Sequence, residues 1–111
     1  MITIGMAMLL QVATTAPAAS DYGFQKIADG NFDAAEVSLQ AASIAEPDEP
    51  LVLINLAQVY RRTGRVDQAR AMYRRVLETP NADLVLGDYR TAWSHDLARR
   101  GIATLTQVAS R

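Results

Sequence analysis

Cysteine is missing from this sequence. A disulfide scaffold, a thiolate zinc site and a cysteine nucleophile are therefore all excluded, as is a lipid anchor attached through cysteine. Histidine occurs once, at His95, which excludes a metal site built from several imidazoles. The six glycines are dispersed, so no glycine-rich phosphate loop exists. The net charge is −1, too small a bias for non-specific nucleic-acid binding, which needs a basic surface. Aromatic residues make up only 6% of the chain, whereas hydrophobic residues make up 50%. Aliphatic side chains and alanine therefore carry the apolar content, a balance that favours closely packed helices. At 111 residues the chain has room for one domain.

Charge is also missing from residues 1–19. Ile2, Ile4, Met6, Met8, Leu9, Leu10 and Val12 form a short apolar stretch, followed by Ala16-Pro17-Ala18-Ala19. Small residues two apart fit a signal-peptidase site, and the stretch is shorter than the ~20 residues of a membrane span. The expectation is a signal peptide over 1–18 that lacks the usual basic start, cleavage after Ala18, and a periplasmic or secreted domain over 19–111. Membrane contact would then arise only through the cleaved segment. An apolar helix packed on the domain is the competing reading.

What is present is a repeat. Gly30-Asn31-Phe32-Asp33 is followed by Ala35, Leu39 and Ala42; Gly64-Arg65-Val66-Asp67 is followed by Ala69, Tyr73 and Val76. Each pair is offset by 34 residues, as are Gly23 and Ala57. Asp33 and Glu36 read as a capping box. Ala35, Leu39 and Ala42 then share a helix face. Pro47 ends that unit, and Asp48 is placed to cap the next helix, with Pro50 in its first turn. Leu53, Leu56, Ala57 and Tyr60 form an apolar stripe, which Thr63-Gly64 terminates. The small residues Gly23, Ala35, Ala57 and Ala69 fall where paired helices come closest, and larger side chains there would push the pairs apart.

Leu53-x-x-Leu56-Ala57-x-x-Tyr60, then Ala69-x-x-x-Tyr73 and Pro80, resembles a tetratricopeptide repeat. Residues 20–49 resemble a degenerate copy that has Lys26 where the family prefers tyrosine. The resemblance implies a mainly α domain: two antiparallel helical hairpins (repeat 1 over 20–49, repeat 2 over 50–83) in a short right-handed solenoid. It also implies reversible protein or peptide binding, without cofactor, metal or catalytic residue, in a groove lined by the first helix of each repeat. Phe24, Ile27, Ile54, Asn55, Gln58, Arg61 and Arg62 are the expected groove residues, Asn55 matching an asparagine that bonds a ligand's backbone. Ser20 and Ile54 stand where a well-known carboxylate-binding subset has lysines.

The period stops before residue 84, and residues 84–111 are expected to cap the second repeat. Leu84-Val85-Leu86 and Tyr89-Arg90-Thr91 flank Gly87-Asp88, which favours a β-hairpin over 84–91 with glycine opening a type II′ turn. A single helix from about Asp88 to Arg100 competes with it. Ser94 is placed to cap a last helix holding Leu97, Ala98, Ile102 and Leu105. Ser94-His95-Asp96 contains the residue types of a catalytic triad, but neighbours on a helix diverge by about 100°, so a cap and a surface histidine are expected. Trp93 reads as a packing residue, with an aromatic lid as the alternative.

Charge is unevenly spread. Residues 20–50 carry seven carboxylates against Lys26, a net −6; residues 51–79 carry six arginines against Asp67 and Glu78, a net +4. Pairing between adjacent repeats is the plainer reading. The sharper one is an acidic peptide as partner, since guanidinium groups match carboxylates well. A third is homodimerisation, the acidic repeat of one copy stacking on the basic repeat of another.

Overall fold

The computed structural model describes residues 22–109; the signal-peptide reading for 1–18 lies outside them. Its elements are α1 (Phe24–Ala28), α2 (Phe32–Ala45), α3 (Pro50–Arg62), α4 (Val66–Leu77), β1 (Asp83–Val85), β2 (Thr91–Trp93) and α5 (Ser94–Ala109). The protein is mainly helical, with two helical hairpins followed by a small antiparallel β-hairpin and a final helix.

The 34-residue offset in sequence is an offset in geometry. Gly30 and Gly64 both adopt left-handed φ values, 78° and 80°. In each case the next N–H reaches five residues back, Asn31 to the Lys26 carbonyl and Arg65 to the Tyr60 carbonyl, both at 2.8 Å. This bond closes the carbonyls left open at a helix end and turns the chain into the partner helix. Asn31, rather than Asp33, caps α2: its side chain accepts from the Ala34 N–H. Asp33 lies inside the first turn, where the helix dipole favours its charge. For α3 the cap is Glu49, one residue beyond Asp48, and its carboxylate accepts from the Leu51 N–H at 3.2 Å.

The predicted small positions are tightly enclosed. Ala35, Ala57 and Ala69 have no exposed surface, and a Cβ on Gly23 would stand 3.1 Å from Leu39 Cδ1. Helix α3 is buried well beyond its predicted stripe, because Val52, Ile54 and Val59 are also enclosed. It is the central helix, packed by α2, α4 and α5.

Helix α5 lies on α4 and touches α3, covering the open side of repeat 2. Its contact with α4 is close: a Cβ on Gly101 would fall 2.3 Å from Tyr73 Cζ. Ser94 opens α5 but does not cap it. Its Oγ accepts from the Ala82 N–H at 2.9 Å and donates to Asn81 Oδ1. The Asn81 side chain, from the preceding loop, accepts from the His95 N–H at 3.0 Å.

The β-hairpin is present, and it displaces the single-helix reading for 88–100. Its register pairs Asp83 with Trp93, Leu84 with Ala92 and Val85 with Thr91, so the strands run 83–85 and 91–93 instead of the triplets proposed. The turn also differs from type II′, which needs positive φ at Gly87. Positive φ occurs at Tyr89 instead, at 68°. The Tyr89 N–H bonds the Leu86 carbonyl, and the Leu86 N–H bonds the Arg90 carbonyl. That is a three-residue loop whose last member is left-handed. Trp93 is half-exposed beside Asp83 on the outer face, while Leu84 faces the core.

Beside the packing of Ala35 and Leu39 in the common core, arginines tie repeat 1 to repeat 2. The Arg65 guanidinium forks onto the Glu36 carboxylate, with one bond of 3.0 Å, and lies 4.8 Å from the Tyr60 ring centroid. Arg75 donates to the Pro47 carbonyl at 2.8 Å. The hydrogen bond and charge of Arg65 hold the Glu36 carboxyl below its ordinary value. A lowered folded-state pKa stabilises the fold above the unfolded pKa, and this stability is lost as pH falls through the folded pKa. Denaturant midpoints measured at neutral pH and at about pH 3.5 should therefore differ less in Glu36→Gln than in the wild type. An equal difference in both would show that the pair does not contribute to acid sensitivity.

Candidate binding cleft

The first-helix face of the repeats is walled by the β-hairpin. Between them lies a cleft of about 510 Å³. Its helical side includes Phe24 and Ile27 from α1, Ile54, Asn55 and Gln58 from α3, and Leu97 from α5; its other side is the segment Val85 to Arg90. The two sides meet where the Phe24 ring lies on Gly87. A Cβ on Gly87 would stand 2.2 Å from Phe24 Cγ, so any other residue there would shift the ring or lift the hairpin.

A second cleft of about 350 Å³ continues the first, sharing Ile54, Gln58 and Leu97. It adds Arg61, Tyr73, Arg100, Gly101 and Thr104 and contains no carboxylate. Arg61 donates to Gln58 Oε1 at 2.7 Å. Burial pushes the Tyr73 phenol up, and the neighbouring Arg61 guanidinium partly offsets that rise. The trough is thus largely apolar under the hairpin and cationic at the other end.

The structure gathers six of the seven expected groove residues along this trough. Arg62 goes elsewhere: one residue on from Arg61, its side chain leaves the helix about 100° away. Its guanidinium lies 5.0 Å from the Phe32 ring centroid, on repeat 1. Asn55 lines the cleft, but its Nδ2 donates to the carbonyl of Tyr22 in the same chain at 2.9 Å. That carbonyl takes the place of a ligand backbone as its acceptor. Leu86, Tyr89, Leu97 and Arg100 line the trough without having been anticipated. Helical spacing carries no information about the fold-back of the hairpin, and the one local signal was Gly87.

Ser94, His95 and Asp96 do not converge. The Ser94 hydroxyl is engaged by Ala82 and Asn81, His95 Nε2 lies 2.7 Å from the Thr79 carbonyl, and Asp96 is exposed and lies 3.7 Å from Arg99.

Comparison with known proteins gives one family. The family model described as tetratricopeptide repeat matches residues 26–85, more than half of the chain, from the last turn of α1 through β1. No curated protein matches the sequence.

Proposed function

The chain belongs to the tetratricopeptide repeat family, whose repeats generally mediate protein–protein contacts without catalysis; on that premise we propose that it is a peptide-binding scaffold whose site is the cleft under the β-hairpin. The observation that carries this reading is the trough itself. Apolar side chains from both repeats and from the hairpin face it, and Arg61 stands where it turns polar. A concave, mainly apolar site with a few placed polar groups is the general form of a binding pocket. The cationic end favours an acidic peptide. We place its action in the periplasm or outside the cell, on the strength of the uncharged apolar residues 1–18.

Self-assembly through the acidic and basic repeats draws little support from the geometry. Arg62, Arg65 and Arg75 already engage repeat 1 of their own chain, which leaves less charge to recruit a second copy.

Separate reversals at Arg61 and Arg62 test the site. With the full chain as bait in an extract, any protein captured should be lost on Arg61→Glu and retained on Arg62→Glu. Equal loss or equal retention by both variants, with helical circular dichroism unchanged, would remove the cleft as the binding site.

A further inference from the structure

We propose that Tyr89 is a ligand-contacting residue, and that the β-hairpin makes the cleft selective for an extended peptide with an apolar side chain close to a carboxylate. The inference rests on the peptide-binding reading above and adds what is recognised and by which residue.

The first observation is a backbone conformation. Tyr89 has φ 68° at the loop position where glycine normally supplies the left-handed geometry. A bulky L-residue is disfavoured there. Such a conformation persists when the surroundings fix it, and it concentrates at functional sites. Packing does not account for the side chain, because Tyr89 is 88% exposed. An exposed aromatic in a strained loop is thus present without a structural return. It lines the cleft beside Leu86 and Phe24, and the contact of Gly87 with the Phe24 ring fixes its height above α1. Aromatic side chains of this kind anchor interfaces because they bring much contact area with little rotamer freedom to lose.

The second observation is the charge of the continuing trough. Arg61 and Arg100 line it, Arg100 is exposed, and no carboxylate faces them among its lining residues. In the first cleft the one acid, Asp88, is paired with Arg90 in the same loop at 2.7 Å. The unbalanced charge is therefore positive and lies beyond the apolar part. An occupant that buries an apolar side chain between Phe24 and Tyr89 and directs a carboxylate toward Arg61 and Arg100 satisfies both parts.

The test is fluorescence anisotropy of the full chain with four labelled synthetic peptide pools on a Gly/Ser background. They contain Leu or Phe with Asp or Glu, Leu or Phe with Lys, Leu or Phe alone, and Asp or Glu alone. The first pool should bind best, and its affinity should fall with added salt. Tyr89→Gly should weaken binding roughly tenfold while leaving the thermal midpoint equal or higher; Tyr89→Phe should retain binding. Arg100→Gln should weaken binding and flatten the salt dependence. Unchanged affinity in Tyr89→Gly overturns the role of Tyr89 but leaves the peptide-binding reading standing. Equal binding of the lysine pool overturns the carboxylate preference. Binding of no pool to the wild type removes the peptide-binding reading, and the inference falls with it.

Discussion

Gly101→Ala should destabilise the protein, against the direction set by helix propensity. Replacing a glycine inside an exposed helix by alanine raises stability by up to about 1 kcal/mol. Here the new methyl would meet Tyr73 Cζ, Cε2 and Cε1 at 2.3, 2.5 and 2.6 Å. Those atoms belong to a ring that is 2% exposed, with the Arg61 guanidinium at its hydroxyl, so it has little room to swing. Overpacking of this kind costs about 1–3 kcal/mol, and the balance is a loss. The denaturant midpoint should fall with its slope unchanged. Tyr73→Leu should be less damaging in the Gly101→Ala background than in the wild type, because residues in contact couple. A raised midpoint in Gly101→Ala would show that the two helices part easily, and the proposed role of α5 as a firm cap would be lost.

Ser94→Ala should loosen the junction between the β-hairpin and α5. Ser94 is fully buried, and its hydroxyl is the acceptor for the Ala82 N–H. The neighbouring Ser94 N–H to Ala82 carbonyl bond, 2.8 Å, holds the other side of the same pair. Removing the hydroxyl leaves the half-buried Ala82 N–H without that acceptor, and losing a hydrogen bond of this kind costs about 1 kcal/mol. The effect should be visible as reduced global stability together with faster amide exchange at Leu84 and Ala92. Protection at those amides equal to the wild type would mean that the strands do not depend on the Ser94 hydroxyl.

The legible part of the fold was the part that repeats. Gly30 and Gly64 recur because two turns need the same left-handed residue, and Ala35 and Ala69 recur because two helix pairs need the same close approach. Such requirements are local, so they leave a pattern in the sequence. Two helix caps were misplaced by one or two residues, since Asp33 and Asp48 offer much the same acceptor chemistry as their neighbours Asn31 and Glu49. Which of them caps is decided by where the chain enters the turn. The start of α5 is held by Asn81 from the preceding loop, beyond the reach of a local reading. The β-hairpin was legible in its strand-forming residues but not in its turn, because Tyr89 occupies a conformation that its residue type argues against. On the trough, Ile54, Gln58 and Arg61 follow from helical spacing along α3, and Arg62 fails by a single helical step. The hairpin wall has no periodic relation to the repeats. The contact of Gly87 with Phe24 joins the β-hairpin to α1, elements far apart in the sequence.

The junction between the repeats sets how the protein opens. Of the buried apolar side chains in α1 and α2, only Ala35 and Leu39 belong to the core, and the rest of that core lies in α3, α4, β1 and α5. The N-terminal pair of helices thus contributes less enclosed hydrocarbon than the rest, with Ile27, Phe32 and Ala42 only partly buried against the core. Subglobal opening should start there, as a unit, while α3 to α5 stay shut. Phe24, at the mouth of the cleft, belongs to the loosely held unit, whereas Arg61 and Arg100 belong to the tight one. A molecule that touches both would fasten them together, and its arrival would be registered as slower exchange in α1 and α2 even where it makes no contact.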